Sequence, residues 1–295
     1  MLLTGCLAED RPMPDDTEEG PPAGPLQPEL GPPQQITEED FQFDTVLNAV
    51  DDLGMDPTGQ ESIDEALDEA RASHTLIEFP PGKYRIAAGR MREATHQWGA
   101  DVEHFGIKGL GDVPKEVQFV LDEQPPSYGG RWISDVGGRG VMYKNFAIQQ
   151  REDPYTSADL VISKENLLLV EEVEWAGTSP SDKGGADDRH GNNAHMHVAI
   201  TDIDGVGEVN RVYMREGAIT PGYPGGMMGL RAMAGHVGTL YFTDLWIEQR
   251  ASSSIRFSPD IGRVIVDGGF FKNNSNTNMR GGAGNRSEEH TSELQ

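Results

Sequence analysis

The chain opens without any apolar period. From residue 7 to about 40 it reads Pro, Asp, Glu and Gly, and between Leu7 and Asp52 thirteen acidic residues stand against one arginine. Such a stretch buries too little apolar surface to offset the entropy of ordering it, so residues 7–42 are expected to be a disordered tether. Folding is expected from about Phe43 onward. Ser62-Ile63-Asp64-Glu65 has the spacing of a capping box, with Ser62 placed to accept the Glu65 amide. Ile63, Ala66, Leu67 and Ala70 then recur at helical spacing, predicting an amphipathic helix over Ser62–Ala72.

Downstream the period changes to two. Thr75–Phe79 reads as a strand, Pro80-Pro81-Gly82 as a turn, and Lys83–Ile86 as a second short strand. Alternating apolar segments follow at Val117–Leu121, Gly140–Ile148, Asn166–Trp175, Val209–Arg215, Thr239–Ile247 and Arg263–Phe270. Taking Phe146, Val173, Val212, Leu245 and Phe270 as equivalent gives spacings of 27, 39, 33 and 25 residues. Periods of roughly 20–50 residues mark stacked repeats. A β-sandwich also carries short alternating strands, but these intervals are too long for hairpins, which favours a solenoid.

The run from Asp56-Pro57-Thr58-Gly59 through the helix to Ile77-Glu-Phe-Pro-Pro-Gly-Lys-Tyr-Arg-Ile86 resembles the opening of the pectate-lyase superfamily. The likeness spans about thirty residues and departs at Asp51-Asp52-Leu53-Gly54, where the family has a Gly-Ala stretch. It implies an all-β chain folded as a right-handed parallel β-helix, with the Ser62–Ala72 helix as the N-terminal cap over an open sheet edge. Within that family, lyases use aspartate-bound calcium and a base, hydrolases use paired carboxylates, and other members are noncatalytic surface proteins. Neither catalytic set matches here residue by residue, so the catalytic residues stay unassigned.

Composition narrows the partners. With 49 acidic and 24 basic residues the formal charge is −25, which argues against nucleic acid and points to a salt-adapted source, the alternative being an ordinary acidic secreted protein; together with the resemblance it implies a haloarchaeal-type surface protein. Thirty-six glycines and nineteen prolines suit many strands and turns. The single cysteine, Cys6, excludes an internal disulfide. Leu3-Thr4-Gly5-Cys6 resembles a lipobox, so residues 1–6 are read as a signal-peptide remnant with Cys6 as the lipidation site, the membrane being reached only through that anchor. No apolar run approaches the roughly 20 residues of a spanning helix. Residues 286–295 read like a translated sequencing adapter. They are set aside as non-native, leaving an incomplete β-helix domain over 43–285 that is expected to continue beyond Asn285. The tail lacks the apolar periodicity to cover a rung, so the edge around Val264–Phe271 is expected to be open.

Three groups could carry chemistry. The polar stretch Gly177–Gly205 holds Asp187, His190, His195 and His197. Residues two apart on a strand share a side, so His195 and His197 are candidate metal ligands with Asp187 and His190, for calcium or another divalent ion. The alternative is a solvated loop. Between Gly205 and Arg263 six arginines and no lysines form a basic island. With Val212 and Met214 inward, Arg211, Tyr213 and Arg215 would point outward, where guanidinium forks bind carboxylates and an aromatic packs on a sugar. Arg231 and Arg250 complete the candidate substrate-binding set. Alternatively these arginines pair with neighbouring acids. The Gly- and Pro-rich Thr220–Gly229 reads as a loop beside them. The expected function is an extracellular, lipid-anchored β-helix that binds or cleaves an acidic polysaccharide as a lyase or glycoside hydrolase. The other reading is a noncatalytic adhesion or structural protein.

Overall fold

Among the described residues every strand pairs in parallel. The computed structural model describes residues 35–87, 94–121, 130–150, 158–178, 194–217, 227–257, 261–281 and 288–290. Residues 35–295 belong to one unit. Its strands stack as three faces of a parallel β-helix.

The first face runs through Thr45–Asn48, Thr75–Phe79, Phe105–Gly109, the opening halves of Gly140–Gln149 and Leu167–Ala176, then Val206–Asn210, Thr239–Thr243 and Arg263–Asp267. The second face runs through Thr58–Ser62, Gly82–Ile86, Val117–Leu121, the closing halves of the same two long strands, Tyr213–Met214, Trp246–Glu248 and Phe270–Lys272. The third is a separate seven-stranded sheet built from Ala94–Trp98, Gly130–Val136, Ala158–Lys164, Ala194–Ile200, Met228–Ala232, Ile255–Phe257 and Met279–Arg280.

One residue per rung turns the chain from the first face to the second. Lys144, Glu171, Asn210, Thr243 and Asp267 pair in one continuous row. The residue after each, Asn145, Glu172, Arg211, Asp244 and Gly268, has φ between 49° and 69°. A left-handed residue interrupts the alternation, so two consecutive side chains point outward and the next returns to the core. This is why Leu168-Leu-Val170-Glu-Glu-Val173-Glu-Trp175 buries Leu168, Val170, Val173 and Trp175. Asn145 ties its bend to the preceding rung, its side-chain amide donating to the carbonyls of Gly109 at 3.1 Å and Gly111 at 2.6 Å. The bends also expose a one-residue error in the sequence alignment. Phe270 pairs with Trp246 rather than standing beside Leu245, and since strand side chains alternate, that slip moves Phe270 from the core to the outer side.

The interior is one apolar cluster along the rungs, dense in aromatic rings near the start. Phe119 lies within 4.5–6.0 Å, centroid to centroid, of Trp132, Phe146, Phe79 and Tyr84. An ion pair is enclosed with it. The Lys164 ammonium lies 2.6 Å from the Asp135 carboxylate, and both side chains are essentially inaccessible. Arg71 and the Tyr143 hydroxyl approach the same carboxylate at 3.6 and 3.3 Å. Burial pushes the Lys164 pKa down against the opposing pull of Asp135, and drives that of Tyr143 well up.

Three boundaries differ from the sequence reading. Ile36 and Phe41, expected in the tether, are buried with Leu76, Met142 and Leu169 on the outer side of the first face. This strap is fixed where the Ile36 amide donates to Glu208 at 3.1 Å, and a Cβ on Gly106 would strike the Phe43 ring at 2.7 Å. The helix, here α1, spans Asp64–Ala70 with Ile63 as its N-cap and no capping box. Ser62 ends a strand instead, and its hydroxyl accepts the Asp64 amide at 3.3 Å. α1 still lies against the edge strand Ala94–Trp98, where Asp64 and Asp68 accept hydrogen bonds from the His96 ring and Asp68 also accepts the Trp98 indole N–H. At the other end Glu288–His290, expected to cover nothing, pair in parallel with Ile265–Asp267.

Candidate functional site

The outer side of the second face carries an aromatic row. Glu174 pairs with Tyr213, Tyr213 with Trp246, and Trp246 with Phe270. Each side chain follows the left-handed bend by two residues, so all of them point away from the core. Val212, Met214, Leu245 and Ile247 alternate with them and are buried. Trp246 and Phe270 are each 39% exposed, unusual for such large apolar side chains, while Tyr213 is half-buried.

Charged groups fix the edge of this row. The Arg215 guanidinium sits 5.0 Å from the Tyr213 ring centroid and 5.7 Å from that of Trp246, within cation–π range. It also donates to Glu174 at 2.7 Å, and Lys115 bridges Glu174 and Glu216 at 3.1 and 3.0 Å. The Trp246 indole N–H donates to Glu248 at 2.5 Å. At the bend Arg211 donates to Glu172 at 3.1 Å and to Glu171 at 2.6 Å, and Lys144 reaches Glu171 at 2.6 Å. Burial opposes the charge on Arg211, but Glu171 and Glu172 outweigh it and raise its pKa. Partial burial, followed by the Glu172 charge, raises that of Tyr213. Arg211 and Arg215 are therefore both engaged by carboxylates, so the basic island does not present free cations here.

The other two predicted arginines lie elsewhere. Arg231 is on the third face, in a row that runs Val161, His197, Arg231, Arg256 and Arg280 on successive rungs. Arg250 is only 1% exposed. Its Nε donates to the Glu248 carbonyl at 3.0 Å, and burial lowers its pKa to about 10. Arg250 cannot touch a polymer, which corrects its place in the binding set.

Two of the four candidate metal ligands fall within the described residues. His195 and His197 share a side of a strand, but Ala194–Ile200 is a buried rung of the third face rather than a solvated loop. His195 stacks on Trp175 with centroids 5.9 Å apart, and one of its nitrogens lies 3.4 Å from Asp159. Burial, then Arg250, pushes its pKa well down; burial, then Arg231, takes His197 to about 3. His197 Nε2 accepts the Ala194 amide at 3.3 Å. Asp187, His190 and Cys6 lie outside the described residues. Among the described residues no group of three or more His, Cys, Asp or Glu is arranged to hold a metal, and no helix is long and apolar enough to cross a membrane.

Sequence reasoning reached Tyr213 and missed Trp246 and Phe270. The signal was present: Arg211-Val-Tyr, Asp244-Leu-Trp and Gly268-Gly-Phe are the same bend, inward, outward triplet. In the last, glycine occupies the inward position, so matching large apolar residues across rungs chose Phe270 in its place.

No protein-family model matches the chain, and no curated protein sequence matches it. Among solved structures it is similar to WceF of Pantoea stewartii, described as a glycan biofilm modifying enzyme with a bacteriophage tailspike-like parallel β-helix fold. The TM-score is 0.37 and the identity 11%; the match covers 78% of this chain and 37% of that protein. The chain thus spans under half the length of that protein, and the assignment of fold rests on the strand pairing described above.

Proposed function

We propose that this chain is a surface β-helix that binds a polysaccharide along the outer side of its second face. The observation that supports this is the row Tyr213, Trp246 and Phe270 on three successive rungs. Sugar rings have apolar C–H faces that pack on exposed aromatic rings and hydroxyls that need polar partners. Trp246 and Phe270 supply the first; Glu216, Glu248 and Arg215 supply the second. Rungs repeat about every 4.8 Å, so the row offers regularly spaced stacking positions along the solenoid axis.

The acidic character of the polymer belongs to this reading as an expectation from the basic island. Because Arg211 and Arg215 are held by carboxylates, binding of a uronate would require it to compete with Glu172 and Glu174. Extracellular anchoring through Cys6 and the acidic stretch behind it completes the picture, as does a role for calcium in bridging an acidic polymer to the acidic surface.

The test is titration of the protein with uronate-rich and neutral glycans, followed by tryptophan fluorescence and by assay for new chain ends. A saturable change in wild type that is lost in Trp246→Ala supports the reading; no saturable change with any glycan overturns it. Stronger binding of neutral polymers would remove the acidic expectation. New unsaturated or reducing ends identify an enzyme, and binding without cleavage identifies the adhesion alternative.

A further inference from the structure

Where the N-terminal helix meets the third face, a histidine is caught between two of its carboxylates. His96 Nε2 lies 2.8 Å from Asp64 Oδ1, and His96 Nδ1 lies 2.7 Å from Asp68 Oδ1. Asp64 and Asp68 are one turn apart on α1, so both reach the same ring. The His96 side chain is fully buried. An ionised carboxylate only accepts hydrogen bonds, and a neutral imidazole has a single N–H. Two short contacts to two carboxylates therefore require the imidazolium. From this geometry we propose that His96 is a pH-operated clasp, closed when protonated, that releases α1 from the edge strand Ala94–Trp98 when it loses its proton.

The surrounding charges leave that role to the two aspartates. The Trp98 indole donates to the same Asp68 oxygen at 2.7 Å, and the Ala87 amide donates to Asp64 Oδ2 at 2.8 Å. Arg71, at the C-terminal end of α1, lies over Trp98 at 5.1 Å and is turned to Asp101 and Asp135 at 3.3 and 3.6 Å. On the adjoining strand His96 pairs with Ile133 and approaches the Trp132 ring, while Arg131 pairs two residues away with Ala94.

Titration follows with a definite sign. Burial alone would lower the His96 pKa, but Asp64 and Asp68 outweigh it and raise it above 6.5. Burial would raise that of Asp64, but His96, Ser62 and the Ala87 amide bring it below 3.8. A raised histidine contributes fully below 6.5 and is lost as pH rises through its folded value. A lowered aspartate contributes above 3.8 and is lost as pH falls through its folded value. The clasp is therefore closed across mildly acidic pH and opens on the alkaline side. A cap over an open strand edge controls whether that edge can pair with another chain, which makes this a site where pH would reach the fold.

Hydrogen exchange between pH 6 and 9, corrected for the intrinsic rate, tests it on the full chain. Exchange in α1 and Ala94–Trp98 should become roughly tenfold faster or more, since a charge-assisted bond is lost, while the distant Thr239–Thr243 stays unchanged. Asp68→Asn can donate to a neutral ring and should abolish the pH dependence. Uniform protection across this range, or an unchanged dependence in Asp68→Asn, overturns the proposal. The His96 ring can also be titrated by nuclear magnetic resonance in wild type, independently of any variant. A midpoint above 6.5 supports the clasp, and one at or below 6.5 refutes it.

Discussion

Trp246 and Phe270 lie side by side on adjacent rungs, their ring centroids 5.3 Å apart and their planes at 62°. Both are exposed on the outer side of the second face, whereas Leu245, one residue before Trp246, is buried. Position in the alternation, rather than hydrophobicity, separates a residue that can meet a ligand from one that builds the core.

That separation can be measured. Trp246→Ala should reduce glycan affinity by about 2 kcal/mol, the scale of an aromatic anchor, with little effect on unfolding. Leu245→Ala should lower stability by about 2–5 kcal/mol, yet leave the affinity of the folded protein near wild type. Calorimetric titration and urea denaturation distinguish the two; a large affinity loss in Leu245→Ala would mean the outer face is not the binding surface.

Arg215 and Arg250 should behave as opposites. Arg215→Met removes a cation lying over two rings of the row and should weaken glycan binding several-fold, as expected for loss of a cation–π partner worth about 1 kcal/mol. Arg250→Met changes a buried side chain and should leave affinity unchanged. Comparable losses in both variants would restore Arg250 to the binding set.

The enclosed Lys164–Asp135 pair predicts an asymmetry between single and double substitutions. Asp135→Leu alone strands a buried ammonium and should destabilise by about 3–5 kcal/mol. Combining it with Lys164→Met removes the stranded charge and should recover most of that loss. Denaturation midpoints that simply add would show that the pair is not coupled.

Close contact between rungs makes Gly109 intolerant of a side chain. A Cβ there would overlap the Asn145 carbonyl oxygen in the bend of the next rung, while a Cβ on Gly281 meets nothing within 4 Å. Gly109→Ala should lose about 3 kcal/mol or more by overpacking against backbone, and Gly281→Ala should be near neutral. Thermal melts of the two variants check this.

Salt should stabilise the chain. At −25 the carboxylates repel one another in dilute buffer, and molar salt shortens the screening length to about 3 Å. The melting temperature should rise as potassium chloride is added. A constant or falling value would count against a salt-adapted surface.

Much of the fold was legible because it is local or periodic. The Pro-Pro-Gly turn after Phe79, the period-two strands and the 20–50-residue repeat all depend on neighbours in the chain or on regular recurrence. The bends were not read, since Asn145, Glu172, Arg211, Asp244 and Gly268 share no side-chain type; they share only a backbone conformation. The alignment therefore slipped at the one rung whose inward residue is Gly269, and the aromatic row lost a member. Residue type was enough to propose His195 and His197 as a pair on one side of a strand. Whether that side met solvent depended on what packs over it.

The sequence by itself determined repeated strands with an amphipathic helix near their start, because alternation and amphipathicity are properties of consecutive residues; that the strands run in parallel was implied by the resemblance of the opening residues. It also determined the charge and hence the expected response to salt. Only the tertiary structure decided which outward residues are free and which are engaged. Glu172 and Arg211, or His96 and Asp64, are tens of residues apart and become partners only when rungs stack. Stacking converts a spacing of 23 to 39 residues along the chain into roughly 4.8 Å in space, and a one-residue error in that conversion reverses every side chain it touches.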